Sequence, residues 1–228
     1  MGFPALSCET VEEGIFQALG SGLPVMAFGS LYLAGHVRSA FPQQMKKQQR
    51  ITALQKRDLL SAEQRSAASS GICEKLLHLD VYRKANTVFL FRAFRSEVDL
   101  SSFARQAARD GKILVYPYCP DRTRMLALKP GDAWKTDRFG IETPDPEQAV
   151  VVSPEEIDLV LCPCAAFDDE GRRLGMGAGY YDRFLPQCHN AKKILIAFEV
   201  QHLKKVCTEA FDIPMDAVIT DERTDYYA

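Results

Sequence analysis

The chain has almost no net charge, a single tryptophan, no apolar run long enough to cross a bilayer and no Cys-x-x-Cys pair. Each shortage closes off a class of function. With 28 basic residues against 30 acidic ones, nothing points to a polyanion partner, and nucleic-acid binding is not expected. A membrane-spanning helix needs about 20 consecutive apolar residues, which no stretch supplies. The N-terminus lacks the basic start and apolar core of a secretion signal, so a cytoplasmic protein is expected. Seven cysteines, at 8, 73, 119, 162, 164, 188 and 207, are odd in number and scattered, which favours reduced core thiols over zinc or disulfides. Two nucleotide signatures are also missing. No Gly-Lys-Ser/Thr follows the glycine-rich stretch, and Tyr180 stands where a dinucleotide fingerprint needs its third glycine.

What is present is enough to build a core: 228 residues, 46% hydrophobic and 25% charged, suit one α/β domain or a domain with an appendage. One stretch stands out, Arg172-Arg173-Leu174-Gly175-Met176-Gly177-Ala178-Gly179-Tyr180-Tyr181-Asp182-Arg183. Glycines at alternate positions make neither a stable helix nor an ordinary strand. They do let successive N–H groups converge on an anion with no Cβ in the way. Tyr180 to Leu185 reads as a helix start, whose dipole would add to the attraction. Arginines before the loop and Asp182 after it suit a nucleotide phosphate with its Mg²⁺. By spacing alone the loop is either such a cradle or a tight turn. The apolar run 157–162, ending at Pro163, reads as a buried parallel strand, and ligands in open α/β sheets sit beyond such strand ends.

Other segments fill in the frame. Thr10 can cap a helix to about Leu19, broken by Gly20, Gly22 and Pro24; a short strand over 25–28 and a helix over 31–38 follow. A basic helix starts at Met45, with Lys46 and Arg50 four apart on one face, and Ser61 with Gln64 makes a capping box for the next. Strands are expected over 87–91, 112–117, 125–128 and 193–198, with 212–219 closing the core. The 112–117 and 125–128 runs read as parallel. Asp99 can cap a helix over 100–110 that Gly111 closes, and 131–146 reads as loop. Strands alternating with helices imply a three-layer α/β/α fold with a mostly parallel sheet.

The string AFDDEGRRLGMGAGYYDRFLP, with DLVLCP before it and IAFEVQ after it, closely resembles the 5-formyltetrahydrofolate cyclo-ligase family from about Met45 to the C-terminus. The family shares its scaffold with sugar-phosphate isomerases and CoA-transferases, so fold alone does not give the reaction. The resemblance implies ATP-driven closure of 5-formyltetrahydrofolate to 5,10-methenyltetrahydrofolate by a monomeric enzyme, with ATP and Mg²⁺ as cofactors. It implies phosphate contacts from Lys46, Arg50 and Arg173, with the rest of the nucleotide site in Leu174, Gly175, Met176, Gly177, Ala178, Gly179, Tyr180 and Tyr181. The same three cations would be the catalytic ones. Folate contacts would come from Arg92, Glu97, Phe139 and the stretch Met176 to Tyr180. Arg92 stands where relatives often carry an uncharged residue, and Leu100 replaces a usual threonine. Asp182 and Asp212 would hold the metal, with Asp216 a rival for the second place. Residues 1–44 form an appendage in which 10–40 resembles the C-terminal end of folylpolyglutamate synthases, without the rest of such an enzyme. No ligase activity is expected of it. The competing expectations are a non-catalytic folate-binding protein, or an isomerase or CoA-transferase on the same scaffold.

Overall fold

The structure, a computed structural model, describes residues 7–27, 31–209 and 212–227. Its spine is a sheet whose strands lie in the order β12-β11-β10-β7-β1-β2-β3-β6. These are β1 (Thr87–Phe89), β2 (Ile113–Tyr118), β3 (Leu126–Lys129), β6 (Val150–Val152), β7 (Leu159–Cys162), β10 (Lys192–Ile196), β11 (Ala217–Ile219) and β12 (Thr224–Tyr226). Strands β11, β10, β7, β1 and β2 run parallel, and the edges β12, β3 and β6 are antiparallel. Every residue of β7, β1 and β11 is buried, which is why these segments read as unbroken apolar runs rather than alternating ones.

Helices α3 (Ala62–Leu77), α4 (Asp80–Lys84) and α5 (Ser101–Arg109) cover one face, through Ile72, Leu76, Tyr82 and Phe103. The other face is closed by Phe184 of α6 (Tyr180–Phe184), with Leu185 and Met215. Both expected caps form: the Glu13 amide donates to Thr10 Oγ1 at 3.1 Å, opening α1 (Val11–Gly20), and Ser61 and Gln64 satisfy each other at the start of α3.

The structure differs from expectation at five places. Strand β3 pairs antiparallel with β2, because residues 119–125 between them are fewer than the dozen or so that a crossover takes. The segment 131–146 holds a small hairpin, β4 (Trp134–Thr136) with β5 (Glu142–Pro144). Val25–Ala27 form no strand, and Phe28 lies outside the described residues. Helix α5 starts at Ser101 with Leu100 at its N-cap and no capping side chain; Asp99 Oδ1 takes the Ser101 amide instead.

The fifth difference lies at Met45. The helices expected over 31–38 and from Met45 are one, α2 (Leu31–Asp58), which runs through Pro42. Proline removes one hydrogen bond but does not end a helix held from outside. Here α1 packs along α2, with Ile15 buried and Lys47 Nζ over the Phe16 ring at 4.7 Å. Further along, Ala53 of α2 is fully buried against Ala166, Leu174 and Val206, beyond the carboxyl end of β7. That contact sets Lys46 and Arg50 over the glycine-rich loop.

Candidate active site

A cavity of about 700 Å³ opens beyond the carboxyl ends of the central strands. Its floor is made by the chain leaving β7. After Pro163 the chain folds into a hairpin of β8 (Ala166–Phe167) and β9 (Arg173–Leu174), then enters the glycine loop. Fully buried Asp168 locks the hairpin turn. Its carboxylate accepts from the amides of Glu170, Arg172 and Val206 and from Arg172 Nε.

Beyond β9 the amides of Gly175, Met176, Gly177, Ala178 and Gly179 donate to no protein acceptor among the described residues. Gly177 and Gly179 have φ of 103° and 67°, which side-chain-bearing residues rarely adopt. A Cβ added at Gly177 would lie 3.5 Å from the Arg50 guanidinium. The helix after the loop, α6, has only five residues, so its dipole adds less than a long helix would.

Three cations surround the loop. Arg50 Nε donates to the Gly175 carbonyl at 2.7 Å; burial lowers its pKa, against the pull of Asp212. Lys46 Nζ donates to Asp212 Oδ2 and Glu209 Oε2, each at 2.8 Å. Burial works against its ammonium, but these two carboxylates outweigh it and raise the pKa. Arg173 is buried, donates to Asp182 Oδ1 at 2.5 Å, and lies with its guanidinium 5.6 Å from the centre of the Tyr181 ring. Its Nε is buried and has no hydrogen-bond partner among the described residues, an uncommon condition.

The two carboxylates expected to hold metal both line the cavity, and each is engaged through one oxygen. Asp182 uses Oδ1, and Asp212 uses Oδ2 for both Lys46 and the Glu209 amide. Among the described residues no cluster of three or more His, Cys, Asp or Glu side chains could cage a metal. Such a pair suits Mg²⁺, which is held by one or two carboxylates and otherwise by phosphate and water oxygens. The rival Asp216 is elsewhere. It accepts from the Lys193 amide and from Lys192 Nζ, at the opposite end of β10.

Across from the loop the wall is flatter and more apolar. Phe139 meets the Tyr180 ring edge-on at 6.4 Å, and the Tyr180 hydroxyl donates to the Asp121 carbonyl at 2.8 Å. Tyr181 lines the cavity too, but its ring packs edge-on against Phe89 of the core, 6.3 Å away. Glu97, in the turn after β1, accepts from the Phe94 amide at 3.0 Å. Burial pushes its carboxyl above the usual carboxylate range, opposed by that amide and by Arg57, whose Nη1 is 4.0 Å away. Arg92 is paired with Glu142 and lies over the Trp134 ring at 5.0 Å.

Thus Lys46, Arg50, Arg92, Glu97, Phe139, Arg173 to Asp182, and Asp212 all line one cavity. Sequence reasoning missed Arg57, which fixes the Glu97 turn by donating Nε to Ser96 Oγ at 3.0 Å, and missed Glu142 and Glu209. Arg57 was readable, seven residues after Arg50 and so on the same helix face. The two glutamates had no signal, because each acts through a partner remote in sequence.

The 5-formyltetrahydrofolate cyclo-ligase family model matches residues 42–221. The 5-formyltetrahydrofolate cyclo-ligase of Haemophilus influenzae is 29% identical over 177 residues, covering 75% of this chain and 95% of its own. Among solved structures, the 5,10-methenyltetrahydrofolate synthetase of Aquifex aeolicus superposes with a TM-score of 0.71 at 30% identity, over 80% of this chain and 92% of that one. The corresponding Mycoplasma pneumoniae synthetase gives 0.64 at 27% identity, over 77% and 98%. The chain therefore belongs to the 5-formyltetrahydrofolate cyclo-ligase family.

Proposed function

We propose that the cavity performs the reaction that gives the family its name, closing 5-formyltetrahydrofolate to 5,10-methenyltetrahydrofolate while ATP becomes ADP and phosphate. The observation that carries this reading is the run of five amides, 175–179, that donate to no acceptor among the described residues and line one cavity with three cations and an aromatic far wall. One end suits a polyphosphate and the other a flat heterocycle.

The chemistry explains why both are needed. The N5-formyl group is an amide, and its carbonyl carbon resists attack by N10. Transfer of the γ-phosphoryl group to the formyl oxygen forms a P–O bond there and breaks the bond to the ADP oxygen. N10 then adds to the formyl carbon and loses its proton, and phosphate departs as the N5 lone pair closes the C=N bond. The protein's work is alignment and stabilisation of spreading negative charge. Arg173 lines the cavity and is held there by Asp182, a fixed positive charge beside the loop. Lys46 and Arg50 approach from α2. Asp182 and Asp212 would hold Mg²⁺ through their remaining oxygens, and the bound ion would neutralise phosphate charge. Glu97, when ionised, accepts from donors on the folate ring.

In the direct assay, 5-formyltetrahydrofolate mixed with the protein and ATP gives rising methenyl absorbance with stoichiometric ADP. No change with ATP, with folate still bound, would indicate a binding protein instead. Replacing Asp182 with alanine leaves buried Arg173 unpaired, at a cost of about 3–5 kcal/mol, so Asp182→Asn is the informative variant. It is expected to raise the Mg²⁺ giving half-maximal rate by about tenfold; an unchanged Mg²⁺ titration would remove Asp182 from the metal site. The acid limb of kcat/KM for the folate should lie above the ordinary carboxylate range, because burial raises Glu97. Arg57→Ala removes a cation that favours the ionised form and should move that limb to higher pH, while Glu97→Gln should abolish it. A limb that stays put in both variants would contradict the role given to Glu97.

A further inference from the structure

Three loops remote in sequence contribute to the cavity wall, through Cys119, Phe139 and the stretch Gly177 to Tyr180. The first, 119–125, joins β2 to β3 and is ordered by Asp121. Its Oδ1 accepts from the Thr123 and Arg124 amides at 2.8 and 2.9 Å, and its Oδ2 from Arg124 Nε at 2.6 Å. The second is the tip of the β4–β5 hairpin. There Asp137 Oδ1 accepts from the Phe139 and Ile141 amides at 2.8 and 2.9 Å. The third is the glycine loop, with Tyr180 after it. The two aspartates shape their own loops, and their contacts do not reach from one loop to the next.

Arg138 and Arg183 make those connections. Arg138 Nη2 donates to the Asp121 carbonyl at 2.6 Å and also to the Tyr180 hydroxyl, which itself donates to that carbonyl at 2.8 Å. Arg183 Nε donates to the Thr123 carbonyl at 2.7 Å, and its Nη2 to the Ala178 carbonyl at 2.8 Å. One side chain thus joins the first loop to the third. Its guanidinium fills the room that Gly179 leaves, where an added Cβ would lie 2.7 Å from Nη1. The same two cations cover the aromatic wall. Arg138 lies 4.8 Å from the centre of the Phe139 ring, and Arg183 lies 5.3 Å from that of Tyr180. Neither arginine lines the cavity itself, and both are exposed.

We propose that Arg138 and Arg183 are positioning residues for the phosphoryl transfer. Tied together at the Asp121 turn, they set how far the amides of the glycine loop stand from the rings of Phe139 and Tyr180. This role rests on the reaction proposed above. There the phosphoryl donor is held by one loop and the heterocycle by another, and the two must meet in line. A rigid link between the loops matters more to that alignment than to the binding of either ligand. Arginine suits the link, because its planar fork reaches carbonyls on two chain segments at once and its charge strengthens both bonds.

Steady-state rates with 5-formyltetrahydrofolate and MgATP test the role in the full chain, in Arg138→Ala and in Arg183→Ala. Arg122→Ala serves as control, since it removes a charge from the same turn and keeps every backbone acceptor; thermal melting checks each fold. A displacement of about 1 Å can cost about 100-fold in rate, so kcat should fall by that order in both linking variants. The KM values for ATP and for the folate should each change by less than about threefold. Arg122→Ala should match the full chain. An unchanged kcat in the linking variants, a loss carried by KM instead, or an equal fall in Arg122→Ala would overturn the role. Failure of the reaction itself looks different, because the full chain then forms no methenyl product. In that case amide hydrogen exchange judges the link. Exchange must be about tenfold faster than in the full chain at Thr123 and Arg124 in Arg183→Ala, and at Phe139 and Ile141 in Arg138→Ala. Equal exchange rates would remove the link as well.

Discussion

Five consecutive backbone amides without an acceptor among the described residues set the terms for the rest of this molecule. A flexible glycine run would ordinarily fold back and satisfy its own donors. Here it cannot, because both ends are fixed. On one side Asp168, fully buried and accepting four hydrogen bonds, locks the β8–β9 hairpin. On the other, the Arg183 amide donates to the Gly179 carbonyl and its guanidinium to the Ala178 carbonyl, tying the exit of the loop to α6. The positive φ of Gly177 and Gly179 then turns the chain between these anchors.

The second arm of the site is brought in by packing. Ala53 buries fully among Ala166, Leu174 and Val206, so α2 approaches the hairpin as closely as a small side chain allows. Arg50 can therefore reach the Gly175 carbonyl, and Lys46 can reach the carboxylates near the C-terminus. Each cation in the cavity has a carboxylate or carbonyl partner, which keeps the charges solvated by protein. An incoming anion would exchange partners with groups already in place, at little reorganisation cost.

The parts legible in sequence were those whose signal is local. The buried runs of β7 and β10, the capping residues Thr10 and Ser61, and the glycine spacing each follow from neighbours in the chain. The expectation that Glu97 and Phe139 line the site came only from resemblance to a known family, since a lone carboxylate and a loop aromatic carry no local pattern. What escaped was non-local. The direction of β3 depended on loop length, the β4–β5 hairpin on its seat beside Tyr116, and the unity of α2 on support from α1. That Asp212 lines the cavity while Asp216 does not likewise needed the sheet, because four residues carry the chain from the cavity to the far end of β11.

The central claim is that the cavity hands a phosphoryl group to an amide oxygen. Isotopic labelling of the formyl oxygen tests it most directly, with the label followed by mass spectrometry of the products. The account predicts that the label leaves in the inorganic phosphate, one atom per methenyl group formed. Label released as water, with the phosphate unlabelled, would contradict it.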